Sequence, residues 1–173
     1  FEIMTLRILA GFGTYLDEEE EPMSECFSNT AGENFMVQLA RERYCVVRVT
    51  SFEQMLMELR ISQPFSFDYE RVAEEVHSEI YHSITPGNYF DWVFMDAHLR
   101  HNVTKCDSSH LMYALLYDEI MDGRIGFRAF TGNRLCEQLA GTFQIPCIRW
   151  TDAKSMYCLY DLLRKEANER ISF

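Results

Sequence analysis

Residues 40–59 read ARERYCVVRVTSFEQMLMEL. Within this stretch Cys45–Val49 is short, apolar and β-branched, the composition of a strand. Ser51-Phe-Glu-Gln54 follows with the spacing of a capping box, which satisfies free N–H groups at a helix start. Met55, Leu56 and Leu59 then recur at helical spacing. A strand that runs almost directly into a helix is the repeating half of an α/β domain.

The same alternation continues in both directions. Upstream, Leu6–Phe12 is an apolar run closed by glycines, read as a buried strand. The acidic run Asp17–Glu21 and Pro22 form a loop, and Thr30-Ala-Gly-Glu33 is a second capping box before Phe35, Met36, Leu39 and Ala40. Downstream, Pro64 and Pro86-Gly87-Asn88 bracket a polar, acidic helix near Asp68–His82, so residues 60–88 are expected to be a helical insertion on the surface. Trp92–Met95 is a buried strand with Asp96 at its tip. Ser109–Asp122 is a helix stopped by Gly123, and Ile125–Phe130 is a strand ending at Thr131-Gly132. Arg134–Phe143 is helical, Pro146–Trp150 is a strand, and Thr151 is expected to cap a last helix through Leu159, Leu162 and Leu163.

Five strands alternating with helices predict a parallel sheet covered on both faces. In such sheets chemistry gathers at the C-terminal strand ends, where the pattern puts Asp96 and Thr131. Asp96 is read in two ways, as a functional carboxylate or as the cap of the segment after it.

The chain has 173 residues, the size of one domain, and is 47% hydrophobic, with Phe 13, Tyr 9 and Trp 2 to fill a core. That composition excludes a disordered tail or a collagen-like repeat. A formal charge of −11 repels nucleic-acid backbones and anionic membranes, so neither is an expected partner. No apolar run has the roughly 18–20 residues of a membrane span, and no signal peptide is read. Six scattered cysteines without a C-x-x-C pair are read as reduced, which predicts a cytoplasmic protein. Cys45, Cys147 and Cys158 lie in apolar segments and are expected to act as small hydrophobes.

The stretches quoted above, with YFDWVFMDAHL (Tyr89–Leu99), RIGFRAFTGN (Arg124–Asn133) and IPCIRWTDAKSMYCLYDLL (Ile145–Leu163), resemble the receiver domain of two-component signalling. The resemblance implies the three-layer, flavodoxin-like fold of the chemotaxis receiver, with a five-stranded parallel sheet in the order 2-1-3-4-5. It makes Asp96 the phospho-acceptor candidate and Thr131 a phosphoryl contact, with Arg149 near the place of the family's Lys. The acid pair that holds Mg²⁺ in active receivers is replaced by Gly11 and Phe12. A degenerate receiver is therefore expected: a module for signalling and protein–protein interaction, not an enzyme, needing no cofactor and acting independently of phosphorylation. Its surface would be the last strand and the helices beside it, with Met156, Tyr157, Tyr160 and Leu163 as candidates. The partner would be a histidine kinase, an output domain or a second copy.

Two alternatives remain at this point. In one, a histidine kinase or phosphotransfer protein phosphorylates Asp96, with Mg²⁺ as cofactor. In the other, His98, His101, Cys106 and His110 form the metal centre of a small enzyme, since Zn²⁺ takes such N and S donors. Their spacing matches no familiar zinc module, and no nucleophile elbow, H-E-x-x-H or P-loop occurs in the chain.

Overall fold

A computed structural model of the chain describes residues 5–13, 31–59, 90–99 and 108–171. The acidic run Asp17–Glu21, Thr30, the insertion expected at 60–88, His101 and Cys106 lie outside the described residues. In chain order the elements are β1 (Arg7–Gly11), α1 (Gly32–Arg41), β2 (Cys45–Val49), α2 (Phe52–Leu59), β3 (Trp92–Asp96), α3 (Ser108–Leu115), α4 (Tyr117–Met121), β4 (Gly126–Thr131), α5 (Arg134–Thr142), β5 (Cys147–Arg149) and α6 (Ala153–Ile171). The five strands form one parallel sheet in the order β2-β1-β3-β4-β5, the order expected.

Successive residues of a strand point to opposite faces, and here both faces are covered. On one face Leu9, Val93, Met95, Phe127 and Ala129 meet Phe52, Met55, Leu56 and Leu59 of α2, Leu111, Met112 and Leu115 of α3, and Ala140 of α5. On the other, Ile8, Ala10, Trp92, Phe94 and Phe130 meet Phe35 and Leu39 of α1 and Leu159 and Leu163 of α6. This second layer is largely aromatic. Phe35 lies edge-on to Phe12 (6.0 Å) and Phe94 (5.3 Å) and tilted against Phe130 (5.1 Å) and Tyr160 (6.0 Å).

The C-terminal half of α6 is tied back to early elements. Arg164 bonds Glu42 at the C-cap of α1, and Glu166 accepts from the indole N–H of Trp92 at 2.6 Å. Arg170 grips Asp91, whose carboxylate also accepts from the N–H of Arg7 at 2.8 Å.

Local details depart from the sequence expectations in five places. The α1 N-cap is Ala31, with no side-chain cap. At α2 the capping box forms with a shift: Ser51 Oγ accepts from Gln54 N–H, but Gln54 Oε1 reaches past Ser51 to the N–H of Thr50 at 2.8 Å. The helix expected over 109–122 divides at Leu116, whose φ of −97° and ψ of 5° carry both Leu115 and Leu116 into the core. Gly123 ends it as expected, at φ +73°. Cys45 and Cys158 are exposed, Cys45 because its edge strand leaves it uncovered.

Asp152, not Thr151, starts α6. Its Oδ1 accepts from Lys154 N–H at 3.3 Å and its Oδ2 from Ser155 Oγ at 2.6 Å, satisfying groups that a helix start leaves free. The Ser155 hydrogen bond is the main cause that holds its carboxyl below the ordinary 3.8, with the backbone N–H groups of Lys154 and Ser155 and the nearby Arg149 charge adding to it. A depressed carboxyl stabilises the fold above its unfolded value and loses that contribution as pH falls through the folded one. Acidification from about pH 5 to about pH 2 is therefore expected to lower amide protection at Lys154, Ser155 and Met156. Hydrogen exchange checks this, and Asp152→Asn should remove the pH dependence at these three amides.

Candidate functional site

Because every strand is parallel, all five C-terminal ends lie along one edge of the sheet, the edge where open α/β sheets carry their chemistry. Strand register brings Asp96 beside Phe130, and Thr131 beside Arg149. Asp96 and Thr131 are fully buried, among the few polar side chains in the core.

These two residues are joined through His98. The backbone N–H of His98 donates to Asp96 Oδ1 at 2.9 Å, and Leu99 N–H donates to the Asp96 carbonyl at 3.0 Å, so the carboxylate fixes a tight turn. The ring of His98 returns to place Nε2 at 3.2 Å from Thr131 Oγ1. Thr131 Oγ1 also accepts from Asn133 N–H at 3.0 Å, so one hydroxyl meets both the His98 ring and the backbone at the start of α5. Asn133 in turn caps α5, its Oδ1 accepting from Leu135 N–H (2.8 Å) and Cys136 N–H (3.3 Å). The result is a hydrogen-bonded line from the end of β3 to the start of α5. The cap reading of Asp96 thus describes a bond that is made.

Two members of this line escaped the sequence reading. Asn133 directly before a helical run is an N-cap signature and was legible. His98 lies two residues beyond a strand-end Asp, a spacing that gives its backbone role, but its ring contact with Thr131 depends on how close β3 and β4 lie.

Arg149 sits at the end of β5, paired in register with Thr131, and its Nε is buried without a hydrogen-bond partner among the described residues. At the end of β1 the backbone of Gly11 is packed so closely that a Cβ there would come 2.4 Å from Met55 Sδ and 3.1 Å from Leu99. Phe12 is fully buried, 6.1 Å from Phe130 between ring centroids. A hard cation such as Mg²⁺ needs several oxygen ligands. The end of β1 offers a glycine and a buried ring, so the described residues do not fit a Mg²⁺ site beside Asp96.

Of the histidines named as metal ligands, the two described ones, His98 and His110, are not brought together. His98 lies on Thr131, before the start of α5, whereas His110 packs edge-on against Phe143 at its far end, 5.4 Å between ring centroids. Nine helical residues separate those ends by roughly 13 Å. Among the described residues no three His, Cys, Asp or Glu side chains gather to hold a metal.

The interaction candidates divide by helix face. Tyr157 is 68% exposed, but Leu163 is fully buried between α6 and the aromatic layer, and Met156 and Tyr160 pack partly against the same layer. Leu163 is thereby corrected from surface to core: it lies on the inward stripe of α6 with Leu159. A stronger apolar surface lies on α5, where Leu135, Leu139 and the C-cap residue Phe143 are 68, 57 and 62% exposed at i, i+4, i+8 spacing. No helix among the described residues is long and apolar enough to cross a membrane. In comparisons with protein-family models, curated proteins and solved structures, nothing matches this chain.

Proposed function

We propose that the chain is an atypical, receiver-like module that signals through protein contact and works without phosphorylation. The observation that carries this reading is the stripe Leu135, Leu139 and Phe143 on α5, three large apolar side chains left in solvent on one helix. Contiguous exposed apolar surface of this kind favours burial against a partner. The stripe flanks the three-residue edge strand β5, and its helix is capped by the line that starts at Asp96. Use of Asp96 to fix the turn at His98, and the absence of oxygen ligands at Gly11 and Phe12, weigh against phosphoryl chemistry at this edge. The first partner we assign is a second copy of the chain. Further partners in this role are a histidine kinase or an output domain, and a reduced, cytoplasmic setting suits the free cysteines Cys45, Cys136, Cys147 and Cys158.

A second reading rests on the register that aligns Asp96, Thr131 and Arg149 at one sheet edge. There a phosphotransfer protein would donate to the Asp96 carboxylate, and the Thr131 hydroxyl and the Arg149 guanidinium would face the phosphoryl oxygens.

Sedimentation velocity separates the readings, run with and without Mg²⁺ and beryllofluoride, a mimic of aspartyl phosphate. The expected result is concentration-dependent dimerisation of the wild-type chain that beryllofluoride leaves unchanged and that Leu135→Glu with Leu139→Glu abolishes. Dimerisation only with beryllofluoride, lost in Asp96→Asn, would establish the phosphorelay instead. A monomer under every condition would overturn the contact proposed here.

A further inference from the structure

We propose that the cleft between β5 and α6 binds a small amphipathic carboxylate, its head group held by Arg128 and Lys154 and its alkyl tail laid on Ile148, Leu159 and Leu162. The cleft encloses about 310 Å³ and is lined by these five residues together with Ser155 and Cys158. That volume is at the small end of the range for ligand sites, roughly 300–1,000 Å³. Its walls are mainly apolar, and the polar groups that converge on it are two cations and a hydroxyl, with no acid.

Two cations without an acid is an unusual lining for a chain of net charge −11. Four other arginines meet carboxylates: Arg48 with Glu33, Arg124 with Glu119, Arg164 with Glu42 and Arg170 with Asp91. Arg128 is held differently. Its guanidinium lies 5.3 Å from the centroid of the Trp92 ring, and its Nη1 donates to the Phe127 carbonyl at 2.7 Å. No carboxylate among the described residues pairs with it, and burial pulls its pKa below the ordinary value. A guanidinium carries five N–H donors in a planar fork, so most remain to be used. A partly desolvated cation of this kind gains most from an anion that enters its own cleft.

The head group follows from charge. A carboxylate matches the guanidinium fork with two oxygens, and its single charge is repelled less by an acidic protein than a phosphate would be. Nucleic acid is excluded by the same repulsion. The tail follows from the walls, because Cys158 and Leu162 continue from Lys154 along one side of α6 at four-residue steps, a strip that accepts an extended alkyl chain. This cleft lies on the α6 face of the sheet, separate from the α5 stripe, so it stands or falls independently of the dimer.

The test is a titration of the wild-type chain with sodium octanoate below its micelle concentration, read from amide shifts at Ile148, Ser155, Cys158 and Leu162. Saturable shifts are expected, whereas octylamine, of the same length and opposite charge, should give none. Arg128→Met and, as a variant on the exposed first turn of α6, Lys154→Met should each weaken octanoate binding by about tenfold. Equal shifts with octanol and octanoate, or unchanged affinity in Lys154→Met and Arg128→Met, would overturn the carboxylate site. Failure of octanoate to saturate would overturn it as well.

Discussion

Phe35→Ala is expected to lower the stability of the fold by about 3–5 kcal/mol. The ring of Phe35 is buried and touches four other aromatic rings, from the end of β1, from β3, from β4 and from α6. Truncation removes the transfer energy of the ring and leaves a cavity that four rigid neighbours cannot collapse to fill. It also removes two edge-to-face contacts, each worth about 0.5–1.5 kcal/mol beyond burial. Against a total of about 5–15 kcal/mol for a domain, this is the loss of about a fifth or more. Urea unfolding measures it: the midpoint should fall sharply with the slope unchanged. A loss below about 1 kcal/mol would mean that the aromatic layer repacks around the missing ring.

Gly126→Ala, a change of one methyl group, is expected to cost about 3 kcal/mol, the upper part of the usual range for overpacking. Gly126 begins β4 beside Trp92, and a Cβ built there would come within 2.5–2.6 Å of three carbons of the indole. The indole cannot swing aside, since its N–H is bonded to Glu166, its ring stacks on Phe94 at 5.5 Å and Arg128 covers it. The strand must shift or the Glu166 bond must break. Either change is visible in near-ultraviolet circular dichroism together with a lowered thermal midpoint. An unaltered spectrum with full stability would contradict the packing at this position.

Much of this architecture is legible in the sequence, and the reasons are local. Cys45–Val49 and Trp92–Asp96 are short apolar runs that pass into polar turns, and that contrast survives any tertiary context. Gly123 stops a helix because it takes a positive φ, a property of the residue itself. The strand order is different: it came from a likeness in the order of elements and is seen in the pairing of β1 with both β2 and β3. What composition does not carry is distance. Leu163 and Tyr157 belong to the same helix and look alike as apolar candidates, but only packing against Phe35 and its neighbours decides which faces inward. The contact between His98 and Thr131 joins residues 33 apart and depends on neighbouring strands ending level. Asp152 won the cap over Thr151 because its carboxylate reaches both a hydroxyl and an N–H, and residue type alone ranks the two closely.

The three ties of α6 have a consequence for how the protein is made. Arg164 reaches back 122 residues to Glu42, Arg170 reaches 79 to Asp91, and Glu166 reaches 74 to Trp92. A nascent chain on the ribosome can form β1 to β5 and cover one side of the sheet with α2, α3 and α5 before α6 has left the exit tunnel. During that interval the Trp92, Phe94 and Phe130 surface has only α1 over it. Loop closure over such separations is slow relative to local helix formation, so the half-covered sheet is the species most open to chaperone capture or aggregation. Substitutions at Arg164, Glu166 or Arg170 should then lower the yield of folded protein in cells more than they lower its stability once folded.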